Sequence, residues 1–482
     1  MQCRFDLAGC LGDLERYDEA IELRLIEVAW HREALGDRDP ITLTSIRALA
    51  SDLEDNGDPE AAEPLYRECL TGRTETLGDE DPATMASRYD LADCLTALEL
   101  YDESIELRRI ELAWCQRERG VDDPGTLLSQ KALGVDLLHA GQPEAGLDLL
   151  QDCLTRQQRV LGPTDDSTLG TAARVLDALS SLERHEEAIA LSQKVQRALE
   201  KERGSDDPEV LIQLSNQAQL YELLDRLEDA ELLWRRCLQG HEQISGADHP
   251  STILSLYGLA TVLRELNSLE EAEVLYTRGL HSLEISRGPD HPDTIHMAYG
   301  LAWTLSAMDR HSEAIPLRRR ELAFCIQQNG DADPDTLISI NHLAIDLRAT
   351  GELEESEALF RRLVTASQEV LEPGDFDIGR ALGGLAKTLE EAGKLEESLI
   401  FAQQALDHRL QHEGPDAWFT NLERLDLARV LHKLGRNPEA TALLQELQTS
   451  MARKDDPDDR DRQLISDAAE LLLLIEKGLP EA

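Results

Sequence analysis

Cysteine, histidine and carboxylate side chains can carry redox, metal and acid–base chemistry, and this chain has many of them in unhelpful arrangements. Its eight cysteines, Cys3, Cys10, Cys69, Cys94, Cys115, Cys153, Cys237 and Cys325, include no Cys-x-x-Cys pair, the spacing a redox couple or a thiolate metal site would use. His408 and His412 stand at i and i+4, a metal-compatible helix spacing, but no third ligand sits at a matching distance along the chain. Among 95 acidic residues paired carboxylates occur everywhere, so none is singled out as a general acid or base. No glycine-rich phosphate loop, nucleophile elbow or zincin motif occurs. The sequence predicts no catalytic residue, no metal and no cofactor, and hence no enzyme.

The 95 acids face 48 bases, for a formal charge of −47. That excess argues against nucleic acid or an anionic membrane on the outer surface, since phosphate binding needs positive charge. No stretch approaches the roughly 18 uncharged apolar residues of a membrane span. The opening Met1-Gln2-Cys3-Arg4-Phe5 lacks the layout of a secretory signal. Together with unpaired cysteines, this places the expected location in the cytoplasm.

The elements that position these residues are set by a period. Pro40, Pro82, Pro124, Pro208, Pro250, Pro292 and Pro334 are separated by 42, or by 84 where Asp166 stands in for proline. The ladder continues through Phe376, Trp418 and Arg460. Ala20, Ala62, Ser104, Gly146, Ala188, Ala230, Ala272, Ala314, Ser356, Ser398 and Ala440 form a column of small residues at the same period. A leucine column from Leu23 to Leu443 runs beside it, broken only by Phe401. The cysteines follow the period as well: Cys69, Cys153 and Cys237 lie 84 apart, as do Cys10 and Cys94, while Cys115 and Cys325 lie 210 apart. This pattern predicts small buried apolar positions.

Each 42-residue unit predicts two helices. Asp39, Asp81, Asp123, Asp207, Asp333, His249 and His291 are expected as N-caps, followed by proline at the first helical position. About sixteen residues later come turns such as Asn56-Gly57 and Ala140-Gly141, where glycine takes a left-handed conformation. A second helix ends near Gly36, Gly78, Gly120 and their successors. No sustained period-two alternation predicts a strand. Small columns mark where helices cross closely, and the leucines are expected to fill the gap between neighbouring hairpins. One such hairpin cannot bury its own faces, so the expected architecture is a single all-α solenoid over 1–482, of about eleven units stabilised by stacking. Its first unit, 1–36, begins inside its first helix, and a closing helix lies within 460–482, around Leu464–Ile475. A partial 84-residue super-period also appears. Glu27, Glu111 and Glu321 begin similar segments, and each is followed by an Asp-Leu pair at Asp52, Asp136 or Asp346.

These units resemble the tetratricopeptide repeat (TPR) family, in particular its 42-residue, kinesin-light-chain-like subtype. The carriers are His291-Pro292-Asp293-Thr294, Asp333-Pro334-Asp335-Thr336-Leu337 and Ala62-Glu63-Pro64-Leu65-Tyr66-Arg67. The resemblance implies a right-handed superhelix whose first helices line a concave groove, and a protein or peptide as partner. It also implies peptide-contacting asparagines at positions equivalent to 47 and 48, where this chain offers Asn216 and Asn341.

Stepping positions 44, 47, 51 and 54 by 42 gives the expected groove. Arg47, Lys131, Arg264, Arg348, Arg380, Lys387 and Arg429 outnumber Glu54, Asp93, Asp177, Glu222 and Glu390 there. The expected site is Tyr257, His296, Tyr299 and Trp303, followed by Asn341 and the cations Arg348, Arg380, Lys387 and Arg429. Tyrosine, tryptophan and arginine are enriched at binding hot spots. The expected function is an interaction scaffold whose partner segment carries an aromatic or apolar anchor and acidic residues. The alternative is a sensor or regulatory arm of a larger bacterial signalling or defence protein, with an effector domain outside this chain. In that case the uncapped first helix would meet the effector or another copy end to end.

Overall fold

The computed structural model describes residues 2–454 and 457–479 and, for Gln2 and Cys3, the backbone alone. Among the described residues the regular structure is helical throughout. Contacts divide the chain into two compact halves, Met1–Gly240 and His241–Ala482. The first half begins with the hairpins α1 (Gln2–Gly12) and α2 (Tyr17–Leu35), α3 (Pro40–Asp55) and α4 (Pro59–Leu77), and α5 (Pro82–Ala97) and α6 (Tyr101–Glu118). It continues with α7 (Pro124–His139) and α8 (Pro143–Val160), α9 (Asp166–Ser181) and α10 (His185–Arg203), then α11 (Pro208–Leu223) and most of α12 (Leu227–Ser245). The second half holds α13 (Pro250–Glu265) and α14 (Leu269–Ser286), α15 (Pro292–Ala307) and α16 (His311–Asn329), and α17 (Pro334–Ala349) and α18 (Leu353–Val370). Last come α19 (Phe376–Glu391) and α20 (Leu395–His412), α21 (Trp418–Lys433) and α22 (Asn437–Met451), and the closing α23 (Asp459–Lys477). Odd-numbered helices up to α21 are the first, or A, helices of their hairpins, and even-numbered ones the B helices.

The caps follow the sequence. Asp39, Asp81, Asp123, Asp207 and Asp333 each accept a hydrogen bond from the backbone two residues on, and His249 and His291 do so through Nδ1. Asp165 and Asp375 cap helices that lack the proline. Ala417 has no side chain able to cap α21. The ladder slips at the end: α23 starts at Asp459, one residue ahead of the Arg460 register, because Asp458 and Asp461 form a capping box.

The turn between A and B helices is left-handed in every hairpin. Gly57, Gly141, Gly351, Gly393 and Gly435 supply it where present, while Glu15, Glu99, Glu183, Asp225, Asn267 and Asp309 hold φ between 55° and 60°. Tertiary packing thus imposes on six residues with a Cβ a conformation that glycine adopts freely.

The small column is fully buried, from Ala20 to Ala440. At Gly146 an added Cβ would lie 2.7 Å from the Gly134 carbonyl oxygen, which shows how closely the helices cross. The leucine column differs from expectation. Leu23 through Leu443 are only half-buried, and the residue one position later is buried in their place. That column reads Arg24, Tyr66, Arg108, Leu150, Ser192, Trp234, Tyr276, Arg318, Phe360, Ala402 and Leu444. Within each half, Arg24, Tyr66, Arg108, Tyr276, Arg318 and Phe360 of this column reach the next hairpin, whereas the leucines stay half-buried.

The cysteines also divide. Cys69, Cys94, Cys115, Cys153 and Cys237 are buried, Cys325 is intermediate and Cys10 is exposed. Cys94 donates to the Pro59 carbonyl of the preceding hairpin at 3.4 Å; α1 has no described hairpin before it, so the same position is open at Cys10. The side chain of Cys3 lies outside the described residues. No helix among the described residues is long and apolar enough to cross a membrane.

Candidate binding face

Within each half, A helices of neighbouring hairpins touch one another, as α7 touches α9, α13 touches α15, α17 touches α19 and α19 touches α21. Side chains at the equivalents of 44 and 51 are exposed in some hairpins and half-buried in others: Leu128, Ile212, Leu254, His296 and Trp303 are exposed, while Arg380, Lys387 and Arg429 are half-buried. The column equivalent to 47 changes along the chain. Arg47 is exposed and Tyr257 and Tyr299 are half-buried, while Asn341 is buried. The asparagine carried over by family resemblance therefore faces the core.

The expected aromatics pair off. Tyr257 meets His296 edge-on with ring centroids 5.0 Å apart, and it also meets Tyr276 at 5.9 Å. Tyr299 lies 5.9 Å from His342, under the Arg318 guanidinium at 5.0 Å. Trp303, 36% exposed, carries Arg264 over its ring at 4.5 Å. Burial drives the His342 imidazole down to about 3, helped by the nearby Arg318 and Arg380 charges, so it is neutral beside these cations.

Each expected cation already has an anionic partner. Arg348 pairs with Glu391 at 2.5 Å, Arg380 with Asp377 at 3.0 Å and Lys387 with Asp426 at 2.8 Å. Arg429 lies between Asp426 and Asp467, at 3.6 and 3.8 Å. Arg264 is held by Glu265 and Lys433 by Glu390. An acidic ligand here would have to displace intramolecular carboxylates.

Two features of this half escaped the sequence reading. The first is a pocket of about 330 Å³ between the N-terminal ends of α13 and α15 and the C-terminal end of α14. Its sequence signal is a break in a pattern. In several hairpins a B-helix side chain reaches a hydroxyl on the next A helix, as in His31–Ser45, Arg73–Ser87 and His241–Ser255, each at 2.9 Å. At this place the pair is Leu283 and Met297. The second is Glu423, buried against Gly383, whose carboxyl is pushed up to about 8 by burial and by Asp426.

The histidine pair at 408 and 412 has ring centroids 4.8 Å apart, and His408 Nε2 lies 3.0 Å from the Pro373 carbonyl oxygen. Among the described residues no group of three or more His, Cys, Asp or Glu side chains converges as a metal site would require.

The super-period acquires a structural meaning. Arg24, Arg108 and Arg318 accompany these segments, 84 and 210 residues apart, each buried and each reaching the aspartate of the Asp-Leu pair on the following A helix. The distances are 3.1 Å to Asp52, 2.5 Å to Asp136 and 3.6 Å to Asp346. Glu27, Glu111 and Glu321 accept from Ser45, Ser129 and Ser339 at 2.7, 2.9 and 2.7 Å. The repeated segments are thus buried ionic joints between successive hairpins.

Comparison with known repeat families agrees with this architecture. A tetratricopeptide repeat model matches residues 3–75, 81–159, 211–280 and 335–411, more than half of the chain. A second one, also described as tetratricopeptide repeat, matches 47–112. No curated protein sequence matches. A Podosopora anserina protein of nearly identical TPR-like repeats, described as a kinesin light chain, is 20% identical to this chain. It aligns over 43% of this chain and 98% of its own, with a TM-score of 0.39. A variant of that protein gives 24% identity, 42% and 95% coverage and a TM-score of 0.39. BtubC (BKLC) from P. vanneervenii gives 16% identity, 48% and 92% coverage and a TM-score of 0.41. Repeats of this kind commonly mediate protein–protein interaction, and such solenoids are typically not enzymes. The chain belongs to the tetratricopeptide repeat family.

Proposed function

We propose that this chain is a non-enzymatic interaction scaffold. In this reading the A-helix face of its second half binds an extended or helical protein segment through an apolar or aromatic anchor. The observation that carries the proposal is the open row of Leu254, His296 and Trp303 on adjacent hairpins, with Tyr257 and Tyr299 half-buried beside it. Exposed aromatics backed by a rigid helical stack lose little conformational freedom on binding. The same face would serve equally in the recognition arm of a larger signalling or defence protein, and the mass of the native gene product distinguishes the two. Affinity capture with the wild type and a Tyr257→Ala/Trp303→Ala variant, read by cross-linking to a defined partner, tests the face. Loss of the cross-link in the variant is expected; equal recovery by both proteins rejects the assignment.

A further inference from the structure

We infer that the pocket between α13 and α15 takes an apolar side chain from a basic partner segment, one with lysine or arginine beside the anchor. This deepens the binding-face reading above and rests on it. The pocket exists because of three substitutions within one hairpin pair. Gly279 lacks a Cβ, and Met297 Cε lies only 2.5 Å from where that atom would be, so the methionine packs over the glycine. Leu283 replaces the polar residue that reaches across to a hydroxyl in other hairpins. With Ile253 and Leu254 these side chains leave an apolar wall. A cavity of about 330 Å³ lies at the small end of the ligand-pocket range and has room for one aliphatic or aromatic side chain.

The rim sets the sign of charge. Asp248 and Asp293 stand on it with a single cation, Arg287, and Arg287 is ion-paired to Asp293. Asp248 accepts from Ser282 at 2.7 Å and remains exposed to solvent. The bases farther along the face are held by their own carboxylates, as described above, and the chain carries −47. A positively charged segment therefore meets a complementary field, whereas an acidic one must break existing pairs. This reverses the acidic partner implied by counting columns in the sequence.

A random peptide library displayed on phage, panned on the full chain and on a Leu283→His/Met297→Ser variant, tests the inference. The variant grafts the His241–Ser255 pair of the neighbouring position into the pocket, and equal thermal midpoints confirm that it folds. The expected result is an enriched family with an apolar residue next to lysine or arginine, with enrichment falling about tenfold or more on the variant. Acidic peptides enriched independently of the pocket would overturn the inference while leaving a peptide-binding face standing. Basic peptides enriched equally on both proteins would reduce it to general electrostatics and overturn it. If no family is enriched, the inference fails; the cross-linking outcome for Tyr257→Ala/Trp303→Ala then decides the binding face separately.

Discussion

Two joints in this molecule solve one packing problem with opposite chemistry. Between α6 and α7, in the first half, the gap is filled by Arg108, held by Asp136 at 2.5 Å and Asp93 at 2.6 Å. Between α18 and α19, in the second half, Phe360 fills the equivalent gap, fully buried in an apolar cluster. The surroundings change with the plug. Where the plug is arginine, the facing position on the next A helix is Asp52, Asp136 or Asp346; where it is Tyr276 or Phe360, that position is Thr304 or Thr388. One helical turn before those threonines stand Gly300 and Gly384, where an added Cβ would overlap the ring. Plug, partner and spacer thus change together at these joints.

The difference teaches that the ionic joint is not simply a stronger one. Burial outweighs the Arg24 guanidinium at Asp52, whose carboxyl sits above its ordinary range. A buried ion pair gives back in attraction roughly what desolvation costs, but removing one partner strands the other. The largest expected effect therefore comes from Arg108→Ala, which should destabilise the α6–α7 joint by about 3–5 kcal/mol, read as lost hydrogen-exchange protection in those helices. The set exchange Arg108→Phe/Ala132→Gly/Asp136→Thr should recover most of that loss, because it imports the Phe360 solution whole. If the triple variant is as unstable as Arg108→Ala, the two joints are not interchangeable.

A smaller effect is expected at the apolar joint. Gly384→Ala should cost about 1–3 kcal/mol through overpacking against Phe360, and Phe360→Leu should relieve part of it. Additive denaturation midpoints for the pair would show that glycine and ring do not share one space.

Glu423 sharpens the comparison as a buried acid without the close pairing of Asp136. Its folded pKa, about 8, lies above the ordinary 4.5, so the folded chain keeps a proton that the unfolded chain has lost between those values. Stability is full below that window and falls as pH rises through it, by up to about 1.4 kcal/mol per pH unit. Glu423→Gln should flatten this dependence in pH-resolved unfolding of the second half.

The smallest effect belongs to the B-helix surface. There, ion pairs join successive B helices, including Arg67 with Glu103 at 2.5 Å and Arg319 with Glu355 at 2.6 Å. Both partners of each are well exposed, so Arg319→Ala should cost about 0.2–1 kcal/mol. A double-mutant cycle with Glu355→Ala measures it, and raising the salt concentration should shrink it.

Much of the fold was legible because the period fixes local structure at each step. Asp–Pro and His–Pro pairs supply N-caps, and small residues mark close crossings at every unit. The candidate site was legible only in part. Column arithmetic placed Trp303 and His296 on an open face, but it also placed Asn341 there, which the stack buries. It counted Arg348, Arg380, Lys387 and Arg429 as available charge, because their partners Glu391, Asp377, Asp426 and Asp467 come from other columns or from α23. The pocket was visible only as a lapse in the polar pairs that link a B helix to the next A helix.

By itself the sequence determined the helices, their caps and their stacking order, since these depend on neighbours within one period of the repeat. Tertiary structure alone decided which of two adjacent columns plugs the gap, which charges are already satisfied and where a cavity opens. Those outcomes depend on side-chain direction and volume between hairpins, which a linear spacing does not encode.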